Sequence, residues 1–322
     1  STTGCPQRSR PPRITADRST ILPDQHTRAP LLIVALIGLL WGLNWPAVKF
    51  MLTEMPPLTI RAVAFPFAAV LLAMIASARG EHLWPARHEW GPLVITGALV
   101  IFGFNMLTVL GQTLTETSKA AIIAYTMPAL TAMLAAVFLG ERLETRHKLA
   151  LALGMAGLAV LASEDFGALI AAPLGPMIMF GSALSWAGGN VALKAFRWHL
   201  APLARTVWFF VFSTLLCWPL VWVFEPPWLQ SWPSVPVVAT LLYHAVGPMV
   251  TCYALWTVLV GRLSATVAAI AALLAPVVGV SSAIILIGDA VTWQKVVSLA
   301  MILASIFMTL APDTPVHRRP QS

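Results

Sequence analysis

Trp186, Asn190 and Lys194 lie four residues apart, so on a helix they share one face. Trp41, Trp45 and Lys49 repeat that spacing earlier in the chain, with Asn44 beside Trp41. A row of ring, amide and ammonium is suited to binding rather than bond-making. The ring offers apolar and π surface, the amide a donor and an acceptor, the lysine a charge. Asn105, Tyr125, Tyr253 and Trp256 add similar chemistry further along. With Trp41, Asn44, Trp186 and Asn190 they are the expected lining of a substrate cavity. Catalytic groups are not expected. His82, His88, His147 and His199 are dispersed, and no nucleophile stands at a recognisable distance from a base. Cys5, Cys217 and Cys252 form no CxxC pair, and no His, Asp and Glu cluster has metal-ligand spacing, so neither a metal nor a cofactor is expected.

The elements that must hold these residues are membrane helices. Of the 322 residues 58% are hydrophobic and 10% charged. A soluble domain carries about 25% charged residues, and its core could not hide so much apolar surface. Spans of about 20 apolar residues are expected at 31–51, 57–78, 91–111, 118–139, 147–163, 174–195, 202–224, 237–260, 264–287 and 292–311. Residues 1–30, with five arginines and five prolines, read as a disordered arm, and 312–322 as a tail. The first apolar run continues as a full span, so it is read as retained rather than as a cleaved signal. With the N-terminus in the cytoplasm, fifteen of the twenty basic residues fall in cytoplasmic segments and only Lys119 and Lys295 outside. That asymmetry fixes the orientation, with both termini cytoplasmic. The net charge of +7 therefore reports loops rather than a nucleic-acid surface.

Depth along each span sorts the candidates. Trp41 and Trp186 fall near the midplane, whereas Lys49 and Lys194 fall near opposite faces, where lysine can snorkel or serve a mouth. Arg61 is expected at the outer mouth too, in a charge network with Lys49 and Glu54. Pro46 is expected to bend the first span, and Pro128 and Pro276 the fourth and ninth, as gating kinks. "AGGN" at 187–190 should loosen the sixth. His244 is the histidine well inside a span, so it is the candidate titrating group. Gly38, Gly42, Gly154 and Gly157 should let helices approach closely. No Asp or Glu lies deep in a span, which leaves proton coupling through a buried acid unsupported.

The two halves repeat. "WGLNWPAVK" (41–49) lies over "WAGGNVALK" (186–194), "PPLTIR" (56–61) over "APLAR" (201–205), and "SKAAIIAYTMPAL" (118–130) over "TVAAIAALLAPVV" (266–278). "FLGERLETR" (138–146) lies over "LIGDAVTWQ" (286–294), placing Glu141 over Asp289, and Asn105 falls over Tyr253. Five spans is an odd number, so 31–163 and 164–311 enter the membrane from opposite sides. The expected fold is an all-α integral membrane protein of ten transmembrane helices in two inverted five-helix repeats, an arrangement that underlies many secondary transporters.

At these motifs, and over about residues 31–311, the chain resembles the EamA branch of the drug/metabolite transporter superfamily. The resemblance is carried by "LLWGLNWPAVK", by "ETSKAAIIAYTMPALTAMLAAVFLGERLETRHKLALALGMAGLAVL", and by "CYALWTVLVGRLSATVAAIAALLAPVVGVSSAIILIGD". It implies ten spans in two repeats and movement of small metabolites such as amino acids. The second repeat departs from the pattern, with Asp289 in place of a glutamate and no Trp-Gly dipeptide at 186–187. The expectation is an inner-membrane carrier, an exporter working by alternating access, whose partners are a small-molecule substrate, the bilayer and, in one option, a second copy of the chain. A membrane-embedded lipid enzyme and a non-transporting sensor or scaffold are the competing readings. The first needs a reactive cluster that the loops do not offer, and the second ordinarily appends a soluble domain.

Overall fold

The computed structural model describes residues 25–114, 120, 123–163, 172–282, 285 and 291–310. Residues 1–24 of the expected arm at 1–30, Lys119, the Asp289 counterpart of Glu141 and the tail at 312–322 lie outside the described residues; residues 25–30, expected to be disordered, instead begin the first helix. What is described is helical throughout, without strands. The first span is α1 (Gln25–Met51) and the second α2 (Pro57–Ala78). The third is built of α3 (Trp90–Gly97), a π-helical segment (Ala98–Gly103) and α4 (Phe104–Leu114). The fourth and fifth contain α5 (Met127–Phe138) and α6 (Thr145–Ala162). The second half continues with α7 (Leu174–Ala195) and α8 (Pro202–Phe224). Its eighth span is α9 (Val235–His244), a second π segment (Ala245–Cys252) and α10 (Tyr253–Arg262). The ninth holds α11 (Ala265–Ala271) and α12 (Leu274–Ser282), and the tenth is α13 (Trp293–Leu310). The spans at Leu32–Met51, Pro57–Ala78, Arg87–Leu114, Pro202–Phe224 and Val235–Arg262 are long and apolar enough to cross a bilayer.

Helix pairing respects the two-fold relation between the halves. α1 packs on α12, and its counterpart α7 packs on α5. α4 packs on α7, and the eighth span packs on α1. The second and seventh spans pair with each other, as do the fifth and tenth. Exchanging the halves maps this set of contacts onto itself. Tight contacts use small residues, as expected. A Cβ on Gly42 would stand 2.6 Å from the Val278 Cβ and 2.7 Å from the Ala275 carbonyl, so α1 and α12 meet backbone to backbone. Gly154 and Gly157 do the same for α6 against α13.

The interruptions also come in pairs. The two π segments occupy equivalent places in the third and eighth spans, immediately before Phe104–Asn105 and Tyr253. A π turn widens the helix by a residue and re-aims the next turn, which here carries the cavity wall. The fourth span breaks at Tyr125–Thr126 and the ninth at Ala272–Leu273. This corrects two expectations. Pro128 and Pro276 do not kink continuous helices. They sit in the first turn of α5 and α12, just past a break, where the missing N–H is free anyway. Pro46 lies in a helix that runs without interruption to Met51, and "AGGN" does not loosen α7. Gly189 there admits Val100 of the first π segment, since a Cβ would stand 2.7 Å from its backbone nitrogen.

Three carboxylates, Glu225, Glu54 and Glu89, serve as caps at described helix ends. Glu225, at the end of α8, accepts from Leu58 N at 3.0 Å and Thr59 N at 2.7 Å. It thereby closes the positive end of α2 one turn before Arg61. Glu54 accepts from the backbone and hydroxyl of Ser234 at 2.6 and 2.8 Å, at the start of α9. These bonds hold its carboxyl below the ordinary range, so the tie is present above the usual glutamate pKa and lost as pH falls through the lowered value. On the other side Glu89 accepts from His199 N at 2.7 Å and Leu200 N at 3.0 Å. The pairs 54–234 and 89–199 exchange under the repeat, with the carboxylate swapped from one partner to the other.

The close approach of α1 and α12 predicts that Gly42→Val destabilises the purified protein by about 1–3 kcal/mol. Gly91→Ala, where an added Cβ meets nothing within 4 Å, should be neutral. Thermal unfolding in detergent compares the two.

Candidate functional site

The inverted repeat brings equivalent residues into contact with each other. The Trp41 and Trp186 rings lie 5.3 Å apart, edge to face. Asn105 Nδ2 donates to the Tyr253 hydroxyl at 2.7 Å. Two residues exchanged by a two-fold relation can touch only near its axis, so these contacts place the axis among these side chains. Around it Trp41, Trp186, Tyr253 and Trp256 form one aromatic cluster, with centroid separations from 5.3 to 5.9 Å. Trp41 Nε1 also donates to the Pro248 carbonyl at 3.3 Å, tying α1 to the π segment of the other half.

A cavity of about 50 Å³ opens beside this cluster. Of the expected lining, Trp41, Asn44, Asn105, Tyr125, Trp186 and Tyr253 face it. Asn190 and Trp256 stand outside its lining, which corrects the expectation for both. Asn190 is buried and fully engaged: Trp256 Nε1 donates to its Oδ1 at 2.7 Å, and its Nδ2 donates to the Trp186 carbonyl at 2.9 Å. It braces the ring wall from behind.

Nine further residues line the cavity beyond those expected to, and three of them matter for its chemistry. Trp45 donates to the Tyr125 hydroxyl at 2.7 Å, and Gln112 lies on the inward side of α4, buried. The third is Arg61. It is not at the mouth and not with Lys49 or Glu54. Its side chain is 1% exposed and lines the cavity. Leu58, Phe65, Ala68 and Leu72 share its buried face of α2. Its Nη1 lies 2.6 Å from His244 Nε2. Arginine only donates, so Nε2 accepts and the ring proton sits on Nδ1, which donates to Asn44 Oδ1 at 2.7 Å. Protonating this imidazole would remove the acceptor that Arg61 uses and set two cations against each other. The titrating role expected of His244 is therefore not what this geometry is built for; it positions Arg61. Among the described residues no carboxylate lines the cavity.

The remaining mouth charges are helix caps. Lys49 Nζ reaches the Gln112 carbonyl at 3.4 Å, in the last turn of α4. Lys194 Nζ donates to Leu263 O at 2.8 Å and Val260 O at 3.3 Å, at the end of α10. Each lysine neutralises the negative end of a helix in its own half, at equivalent places. Arg205, the counterpart of Arg61, stays away from the cavity over the Trp198 ring, 5.2 Å from its centroid. His88 and His199, expected to be dispersed, meet across the halves at 3.1 Å beside Glu89.

A family model for the EamA-like transporter family matches the chain twice, over residues 28–163 and 173–311. This chain belongs to the EamA-like transporter family. It is 26% identical over 284 residues to the "Uncharacterized transporter YvbV" of Bacillus subtilis, covering 87% of this chain and 90% of that one. It is 26% identical over 289 residues to a "Probable amino-acid metabolite efflux pump" of Escherichia coli, covering 86% and 93%. A solved crystal structure superposes with a TM-score of 0.73 at 21% identity, covering 87% of this chain and 96% of that one, which supports the fold. The EamA member is thus a multi-pass membrane protein of the transporter type, with two five-helix repeats and a central cavity on their axis.

Because Asn190 braces rather than lines, Asn190→Ala should lower thermal stability, leaving the Trp256 N–H without its acceptor at about 1–3 kcal/mol. Substrate affinity in the surviving folded fraction should change little. Melting curves with and without ligand separate the two effects.

Proposed function

We propose that this protein is an exporter of small amphipathic metabolites of the amino-acid type, working by alternating access between its inverted halves. The observation that carries the reading is the small cavity on the repeat axis. A volume of about 50 Å³ has room for a few waters, whereas sites for small organic ligands run to ~300 Å³ or more. A substrate enters only if the walls part. Those walls belong to helices interrupted at matched places, by π segments in the third and eighth spans and by breaks in the fourth and ninth. Each half therefore has the same joints, and rocking about the axis opens one side while closing the other.

Membership of the family and the name of the Escherichia coli relative support an amino-acid-type cargo and outward movement. The ring-lined wall suits an apolar moiety and the amides suit its orientation. We place the protein in the inner membrane with both termini cytoplasmic, on the distribution of basic residues. We take it to act as a carrier rather than an enzyme, a reading that the family and the names of its relatives support.

The test is flux. Cells fed apolar dipeptides and overproducing the protein should release more of the constituent amino acids than vector controls, and Trp41→Ala should reduce the release. Proteoliposomes should show counterflow of the same compounds. Absence of movement across an amino-acid panel in both systems would overturn the reading.

A further inference from the structure

We infer that Arg61 and Gln112 are the two ends of a recognition site for an amino-carboxylate, with Arg61 taking the carboxylate and Gln112 the amino group. The inference rests on the transport reading and gives its site a substrate class. Three observations carry it. The first is charge. Arg61 is buried and lines the axial cavity, and among the described residues no carboxylate lines that cavity with it. A buried cation without a counter-ion is costly. His244 and Asn44 orient the guanidinium without neutralising it.

The second is unfilled hydrogen-bonding capacity. Arg61 Nε, Gln112 Oε1 and Trp186 Nε1 are each buried and have no hydrogen-bond partner among the described residues. All three residues line the same cavity. Buried polar groups are ordinarily paired, so three unpaired ones around one space mark what the space is made to receive. The set is chemically specific: donors at Arg61 and Trp186 ask for an acceptor or anion, and the Gln112 oxygen asks for an N–H donor. An ammonium beside a carboxylate supplies both.

The third is shape. Trp41, Trp45, Phe104, Tyr125 and Met249 supply much of the apolar wall, beside the polar Asn44, Asn105 and Thr108. The apolar part suits the side chain of such a molecule, leucine- or phenylalanine-like. Pairing the guanidinium with a carboxylate also offsets the cost of burying it. The substrate would therefore enter as its counter-ion.

Thermal-shift titrations of the purified wild-type protein test this without a variant. L-Leucine and L-phenylalanine are compared with their amides, which keep the ammonium and lose the carboxylate, and with isoamylamine and phenethylamine. The acids should stabilise with an affinity roughly tenfold to a hundredfold above the amides and amines, the range for hydrogen bonds to a charged group. N-acetylation should weaken binding more modestly, through Gln112. Equal binding of acids and amides, tighter binding of the amines, or no stabilisation by either acid would overturn the site assignment. Counterflow in proteoliposomes reads the transport function separately, so a protein that moves amides as well as acids keeps that reading and loses this one.

Arg61→Lys should retain the preference for acid over amide at lower affinity, and Arg61→Gln should abolish it. If Arg61→Gln does not fold, Gln112→Ala provides the second arm: it should preserve the acid preference and lose the discrimination against N-acetylation. A Gln112→Ala protein that still discriminates would overturn the role given to Gln112.

Discussion

A guanidinium buried in a membrane protein, with no carboxylate facing it among the described residues, is the constraint around which the rest of this structure is arranged. Such a group needs its charge oriented, its position fixed and water or an anion within reach. Its helix begins one turn earlier, where Glu225 from the seventh span closes the free N–H groups of Leu58 and Thr59. Its Nη1 is held by His244, and His244 is held by Asn44. That chain of contacts runs from the second span through the eighth to the first, so it links the halves. The counterpart Arg205 sits elsewhere, over Trp198. A symmetric scaffold thus presents one asymmetric charge to its centre, which suits a small substrate with one anionic end.

The scaffold itself is economical in its devices. Glycines let α1 and α12 meet at backbone distance. Lys49 and Lys194 each cap a helix end within their own half. The π segments and the breaks turn side chains towards the axis at matched depths. Contacts between equivalent residues, Trp41 with Trp186 and Asn105 with Tyr253, mark where the two halves share a surface. An element that repacks there changes both halves at once.

Much of this is legible in the sequence. Apolar runs define spans, and the pairing of "WGLNWPAVK" with "WAGGNVALK" exposes the repeat. Two equivalent stripes of tryptophan and amide point to the axis, and six of the eight expected lining residues face the cavity. Counting residues misplaces Arg61 because it gives depth but not direction. Nearly every face of α2 is apolar, so nothing in the sequence tells which side of that helix looks inward. Asn190 is misread for a related reason: an inward amide is equally suited to lining a cavity or bracing a ring, and the choice depends on where Trp256 lies. Of the two π segments only the second leaves a local trace, Pro248 within it.

The most direct test is to locate a substrate analogue in the protein. A structure determined with 4-bromo-L-phenylalanine bound should show anomalous bromine signal among Trp41, Trp45, Phe104 and Tyr125, with the carboxylate within hydrogen-bonding distance of Arg61 and the amino group towards Gln112. Bromine at a site away from the repeat axis, or a carboxylate turned away from Arg61, would contradict the assignment.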